Sequence, residues 1–328
     1  MADRSTLVRP PPLDPSKSAI ENVLELTELG VIGPDIFTNT RPLWHPRGAR
    51  GIYGGAVIAQ CLSAAQRTVP HNFTVHSMHC YFVLAGDSEI PILYHVERVR
   101  EGRSYATRTV QARQKGACIF TTTMSFVREK SGGAKTVNHA VPLPAEVQQP
   151  DDDDSASLTA AGSPFTTRTE VLFNADSEHP HEKTARHWTK ARGRISAEGG
   201  HQAHLSALAY MSDSHFIGTV SRVHNLWRFP SPKKSNDGVL DDIDENLLKL
   251  KRMEGFGDDL DNEQKRPEVS MMVSLDHTIY FHEPRRFRAD EWMFTEMHSP
   301  WAGDGRGLVK QHLFTADGTL IATCFQER

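Results

Sequence analysis

Two stretches of this chain repeat one order of apolar and polar positions. In each, a pair of glycines precedes a run of small and apolar residues with helical spacing: Gly54-Gly55 before AVIAQCLSAAQR, and Gly199-Gly200 before HQAHLSALAYMSDSHF. Each predicted helix is followed by a strand ending in the same pair, Tyr81-Phe82 and Tyr280-Phe281, an offset of 199 from position 81 to position 280. Gly102-Arg103 and Gly305-Arg306 follow at an offset of 203, from 102 to 305. Each stretch closes on two predicted strands, SYATRTVQARQKGACIFTTTMSFV and GLVKQHLFTADGTLIATCFQ, in which Phe126 and Phe325 are again 199 apart. Near-equal offsets at several landmarks indicate a duplicated unit. One helix followed by several antiparallel strands makes each copy an α+β unit. Asp317-Gly318 predicts a hairpin, and Lys115-Gly116 its counterpart.

The pattern also sets the expected boundaries. Residues 1–18, with Pro10-Pro11-Pro12, read as a flexible lead, 19–129 as the first repeat, 130–164 as an acidic linker and 165–328 as the second repeat. Asp151 to Asp154 repel one another in a stretch poor in large apolar groups, which favours a linker. From the helix to the Tyr-Phe strand the first repeat takes 21 residues (Gln60 to Tyr81) and the second 67 (Asp213 to Tyr280). The excess of 46 matches a charged stretch at about 221–267, which reads as a surface insertion with a short helix at ENLLKLKRM.

Composition removes several function classes. With 328 residues the chain can bury a large core without staples. A net charge of -4 gives no basic field for nucleic acid. No apolar run of about 18 residues could span a bilayer, and the polar, Pro-rich N-terminus lacks the apolar core of a secretory signal. The four cysteines are scattered without a CxxC pair, which reads as reduced thiols. The 17 histidines include His201/His204 and His277/His282, but neither pair carries the partners of a familiar zinc site, so no metal is expected.

Three residues could carry chemistry. Asp213 continues a helical stripe with Leu205 and Ala209 at i, i+4 and i+8; it is either a general base facing the sheet or a solvated side chain on a rotated helix. Ser274 sits in MMVSLDHTIYFH, predicted as one strand. Alternation puts Met271, Val273, Leu275, His277, Ile279 and Phe281 on one face and Ser274, Asp276, Thr278 and Tyr280 on the other. Without a GxSxG elbow, Ser274 is a poor nucleophile, and a plain strand hydroxyl is the alternative. Gln326 shares a strand face with Leu320, Ala322 and Cys324; it either orients a water through its donor and acceptor or frays at the end. A carboxylate, a hydroxyl and a carboxamide together suit water attack on an activated carbonyl such as a thioester. Gly54 and Gly55, at a helix start, are candidate donors to the oxyanion of a bound substrate.

At these residues the sequence resembles the type II acyl-CoA thioesterases. The resemblance covers about 20–128 and 165–328 and rests on GIYGGAVIAQ, VHSMHCYFVLAGDSEIPILYHVERVREGRSYATRTVQARQKG and IFTTTMSF in the first half. In the second it rests on LAYMSD, SLDHTIYFHEP, FRADEW, SPWAGDGRGLVKQ and DGTLIATCFQE. It implies two fused hotdog repeats, each a curled antiparallel sheet around a central helix, and cofactor-free hydrolysis of fatty acyl-CoA to fatty acid and CoA. It carries the catalytic Asp, Ser or Thr, and Gln onto Asp213, Ser274 and Gln326. At the 199 offset, Ser274 falls on Val75 and Gln326 on Val127, which implies one site per chain, in the second repeat. The resemblance further implies a homo-oligomer, dimer or larger, and a peroxisomal location. The chain ends at Gln326-Glu327-Arg328 without a peroxisomal tripeptide of the S-K-L type, so the cytoplasm is the other expectation. Two rival functions are a hotdog acyl-CoA hydratase or dehydratase, which would use a His/Asp pair, and a non-catalytic acyl-CoA-binding module, in which the polar trio would be scattered.

Overall fold

The structure, a computed structural model, describes residues 10–45, 50–133, 137–151, 159, 162–226, 267, 269 and 271–328. ENLLKLKRM and most of the expected insertion lie outside the described residues.

Among the described residues, twelve strands form one antiparallel sheet. In the first half these are β1 (Leu26–Glu28), β2 (Ile36–Asn39), β3 (Phe73–Phe82), β4 (Leu93–Glu101), β5 (Tyr105–Gln114) and β6 (Ala117–Arg128). In the second they are β7 (Phe165–Phe173), β8 (Thr184–Ala191), β9 (Asp276–Phe281), β10 (Met293–Gly303), β11 (Arg306–Thr315) and β12 (Leu320–Glu327). The order is β1-β2-β4-β5-β6-β3-β9-β12-β11-β10-β8-β7, so the halves join where β3 pairs with β9, Cys80 opposite His277. The two strands that end in the repeated Tyr-Phe pair are these two central strands.

Among the described residues four α-helices accompany the sheet: α1 (Ala19–Leu24), α2 (Gly54–Gln66), α3 (Gly200–Ser212) and α4 (Thr219–Val223). α2 is buried nearly all round, from Ala56 through Ala65. Its small side chains let the curled sheet close upon it, and each fully buried Ile or Leu contributes about 1.5–3 kcal/mol. The fold is therefore α+β with one long helix per half, the double-hotdog arrangement. Lys115 (φ 49°) and Gly116 (φ 80°) make the tight turn between β5 and β6, as their sequence predicts.

Four expectations need correction. The lead is docked from Asp14 onward: the Asn22 amide donates to the Asp14, Lys17 and Ser18 carbonyls, and the Ser18 N–H donates to Glu21 Oε2 at 2.9 Å. Leu143 and Val147 of the expected linker pack against Trp188, Trp292, Phe294 and Phe314, because the outer face of the second half's sheet is aromatic and needs a cover. The start of the expected insertion, Ser221 to Val223, is the buried end of α4. Strand pairing also shifts the counterpart of Gln326. Gln326 opposes Val309 as Met124 opposes Arg108, one inner position per half, so Met124 rather than Val127 stands in its place. Unequal hairpin geometry makes the offset differ between strands. Val75, the counterpart of Ser274, is buried and apolar.

Candidate active site

The two long helices run antiparallel. Near the end of α2, Ser63 donates to Ser206 at 3.0 Å and Gln66 to Ser206 at 2.9 Å. At its start, Tyr53 donates its hydroxyl to the Tyr210 carbonyl at 2.9 Å. The N-terminus of α2 thus meets the C-terminus of α3, where Asp213 follows the last helical residue with φ -81° and ψ -10°. Helical backbone one residue past the helix keeps Asp213 on the stripe that the i, i+4, i+8 spacing predicts.

Gly54 and Gly55 make this meeting possible. A Cβ on Gly55 would fall 2.3 Å from the Tyr210 carbonyl oxygen, and one on Gly54 would fall 2.7 Å from Phe82 Cε1 and 2.9 Å from Asp213 Oδ2. Of the two glycines expected near a substrate oxyanion, Gly55 turns its N–H to the Asp213 carboxylate.

Asp213 is 9% exposed. Burial raises its pKa to about 7, and the Gly55 N–H and the Gln326 side chain hold it down from a larger rise. The positive end of the α2 dipole acts in the same sense as those donors. A carboxyl poised near neutrality is what proton abstraction needs, since it is ionised yet basic.

Gln326 reaches the same carboxylate, and Ser274 joins it through Gln326. Gln326 Nε2 donates to Ser274 Oγ at 2.5 Å. The predicted strand begins later than its sequence pattern suggests: β9 starts at Asp276, and Ser274 lies before it. Leu275 still holds the ladder, donating to Glu327 O at 2.9 Å and accepting from Phe82 N–H at 3.0 Å, but its side chain is 37% exposed. The irregular backbone ahead of β9 lets Ser274 reach Gln326 on the inner face, where strict alternation would have sent it outward. From Asp276 to Phe281 the alternation holds, with His277, Ile279 and Phe281 buried.

Two residues of this cluster were not singled out as site residues from sequence. His277 Nδ1 lies 2.6 Å from Gln326 Oε1, and His277 Nε2 lies 3.0 Å from Ser212 Oγ. Burial lowers the His277 pKa to about 4. The signal available was a histidine on an otherwise apolar strand face, and the polar Ser212 beside the Asp213 stripe. Asp276 does not pair with His277; its carboxylate accepts the Glu327 N–H at 2.7 Å. The His/Asp pair of a hydratase is therefore absent at this position, and the polar trio is gathered rather than scattered.

At the opposite end of α2, the first half holds a different group. Arg108 is fully buried and donates to Thr68 Oγ1 at 2.7 Å, to the Thr68 carbonyl at 2.8 Å and to the Arg100 and Thr107 carbonyls. Its guanidinium is satisfied by the protein around it.

The family described as acyl-CoA thioesterase N-terminal domain matches residues 41–127, and that described as acyl-CoA thioesterase C-terminal domain matches 142–328. Human acyl-coenzyme A thioesterase 8 is 33% identical over 97% of this chain and 90% of its own. Acyl-CoA thioesterase 2 of Haemophilus influenzae is 31% identical over 94% and 96%, and the peroxisomal acyl-coenzyme A thioester hydrolase 1 of Saccharomyces cerevisiae is 25% identical over 95% of each. The crystal structure of an acyl-CoA thioesterase II from Mycobacterium marinum superposes with a TM-score of 0.66 at 28% identity, covering 94% of this chain and 95% of that one. Two domain matches in tandem, and relatives aligned nearly end to end across the β3–β9 junction, place this chain in the type II acyl-CoA thioesterase family of double-hotdog thioester hydrolases.

Proposed function

We propose that this acyl-CoA thioesterase splits its substrate by direct attack of water, with Asp213 as general base and Ser274 and Gln326 as the groups that hold the water. The observation that carries the reading is the run of contacts from Ser274, before β9, through Gln326 of β12 to Asp213 at the end of α3, a carboxyl with a pKa of about 7. Asp213 takes one proton from water as the water oxygen bonds to the thioester carbon. The tetrahedral intermediate then collapses, the C–S bond breaks, and the thiolate leaves with the electron pair. Asp213 returns its proton to that thiolate. Ser274 accepts from Gln326, which leaves its own hydroxyl proton to hold the water or the developing oxyanion. Gly54, at the first turn of α2, is assigned as a backbone donor to the oxyanion, a place where helix N–H groups point outward.

The polar trio comes from the second half alone, with the start of α2 contributed by the first, because Val75 and Met124 stand where the first half would need polar groups. The named relatives support an acyl-CoA as the substrate, and the yeast relative supports a peroxisomal location. Among the described residues no helix is long and apolar enough to cross a membrane. Pairing of hotdog units supports a homo-oligomer of two or more chains.

A single-turnover reaction in ¹⁸O-water, with enzyme in excess, tests the water mechanism. Direct attack puts one ¹⁸O into the fatty acid in the first turnover. An acyl-Asp213 anhydride opened at the aspartyl carbon would instead put ¹⁶O into the first-turnover product, and that result would end the proposal.

A further inference from the structure

We infer that His277 is a positioning residue that fixes which way the Gln326 carboxamide faces; the inference rests on the water mechanism above. A carboxamide is nearly symmetric in shape, and its two ends differ only in hydrogen-bond sense. Here one end must serve Asp213 and Ser274 and the other must serve His277. Gln326 Oε1 lies 2.6 Å from His277 Nδ1, and Gln326 Nε2 donates to Ser274 Oγ at 2.5 Å. The oxygen of an amide can only accept, so His277 Nδ1 carries the ring proton. Nε2 of the neutral ring is then an acceptor, and Ser212 Oγ stands 3.0 Å from it. The one Ser212 hydroxyl proton is shared between His277 Nε2 and the Ala209 carbonyl, 3.0 Å away, so it is Gln326 Oε1 that places the ring proton on Nδ1.

The hydrogen bonds therefore run in one direction, from Ser212 through His277 to Gln326 and on to Ser274 and Asp213. A flipped amide would turn its oxygen toward the Asp213 carboxylate, against like charge, and would offer an N–H to the ring. A ring with its proton on Nε2 would accept that flipped form. The Nδ1–H tautomer selects the productive one. The environment keeps the ring in this state: His277 is fully buried, Phe216 packs edge-on to it at 5.5 Å, and the groups it meets are uncharged. The titratable groups that face Asp213 are Tyr53, Tyr210 and Cys80, from the start of α2, from α3 and from β3. Burial raises all three, so none of them titrates where Asp213 does.

The test compares His277→Leu with His277→Asn, whose side-chain N–H can stand near the place of Nδ1. The Leu variant should lose about 10–100-fold in kcat, the range for partners that orient a reacting group, with KM within about twofold. Its acid limb in kcat/KM should move to higher pH, because Asp213 loses a donor to its charged form. The Asn variant should regain most of kcat and return the acid limb. Equal loss in both variants, or a Leu variant with wild-type kcat and acid limb, would overturn the inference. Should the variants fold poorly, ¹⁵N NMR of the wild-type ring decides: a neutral Nδ1–H imidazole at pH 7 is expected, and an Nε2–H ring contradicts it. Failure of the water mechanism itself would show separately, as ¹⁶O transfer in a single turnover of the wild-type enzyme.

Discussion

Gly55 and Tyr210 are in direct backbone contact across the two long helices: a Cβ on Gly55 would sit 2.3 Å from the Tyr210 carbonyl oxygen. That atom is main chain and held by the Tyr53 hydroxyl, so it cannot swing aside. Gly55→Ala should push the helices apart and destabilise the fold by about 2–4 kcal/mol, as overpacking in a tight core does. Gly132, with nothing within 4 Å, serves as the control, and Gly132→Ala should leave the denaturation midpoint nearly unchanged. A Gly55→Ala protein as stable as the wild type would mean that the helices do not meet as described.

Activity should follow the ionisation of Asp213. The basic form does the work, so kcat/KM should rise with pH and level off above about 7, where the buried carboxyl titrates. His277, lowered to about 4, stays neutral across that range and adds no limb of its own. A pH profile of thiol release reads this directly. A limb near the ordinary carboxylate range, around pH 4, would show that the base is a solvated acid elsewhere.

The same shift costs stability. Asp213 binds its proton more tightly when folded than when unfolded, with a pKa of about 7 against an ordinary 3.8. Between those values the native state holds more protons than the unfolded state, so stability falls as pH rises through the window. The full contribution is present below about pH 4 and gone above about pH 7. Asp213→Asn removes the ionisation and should make the protein more stable than the wild type at pH 8, by roughly 2–4 kcal/mol from the size of the shift. The gap should close as pH falls toward 4. Thermal melts of both proteins at pH 4 and pH 8 check this, and a variant less stable at pH 8 would contradict it.

The duplication was legible in the sequence because landmarks such as the Tyr-Phe pairs recur in order, and such landmarks sit on the central strands. The two long helices were legible too, from glycine pairs ahead of small-residue runs; α1 and α4 were not. What the sequence hid were features that depend on local irregularity. A one-sided alternation rule put Ser274 on the outer face, whereas the break before Asp276 turns it inward. A constant offset matched Gln326 to Val127, whereas strand register matches it to Met124. Nothing in its strand marks Arg108 for burial; the Glu101 carboxylate, the Thr68 hydroxyl and the carbonyls of Thr68, Arg100 and Thr107 explain it. Leu143 and Val147 lay inside a segment whose aspartates suggested a linker; two apolar side chains sufficed to dock it on an aromatic face. The candidate trio came from residue chemistry and from family resemblance together, since each member alone had an ordinary structural reading.

The most direct measurement is thiol release from palmitoyl-CoA by the wild type and by Asp213→Asn, with folding checked for both. The swap keeps the shape of the side chain and removes the base. A loss of about 10²-fold or more in kcat in a folded variant is the result expected of Asp213 as general base. A variant as active as the wild type would place the base elsewhere, and a wild type that releases no thiol from short, medium or long acyl chains would contradict the hydrolase itself.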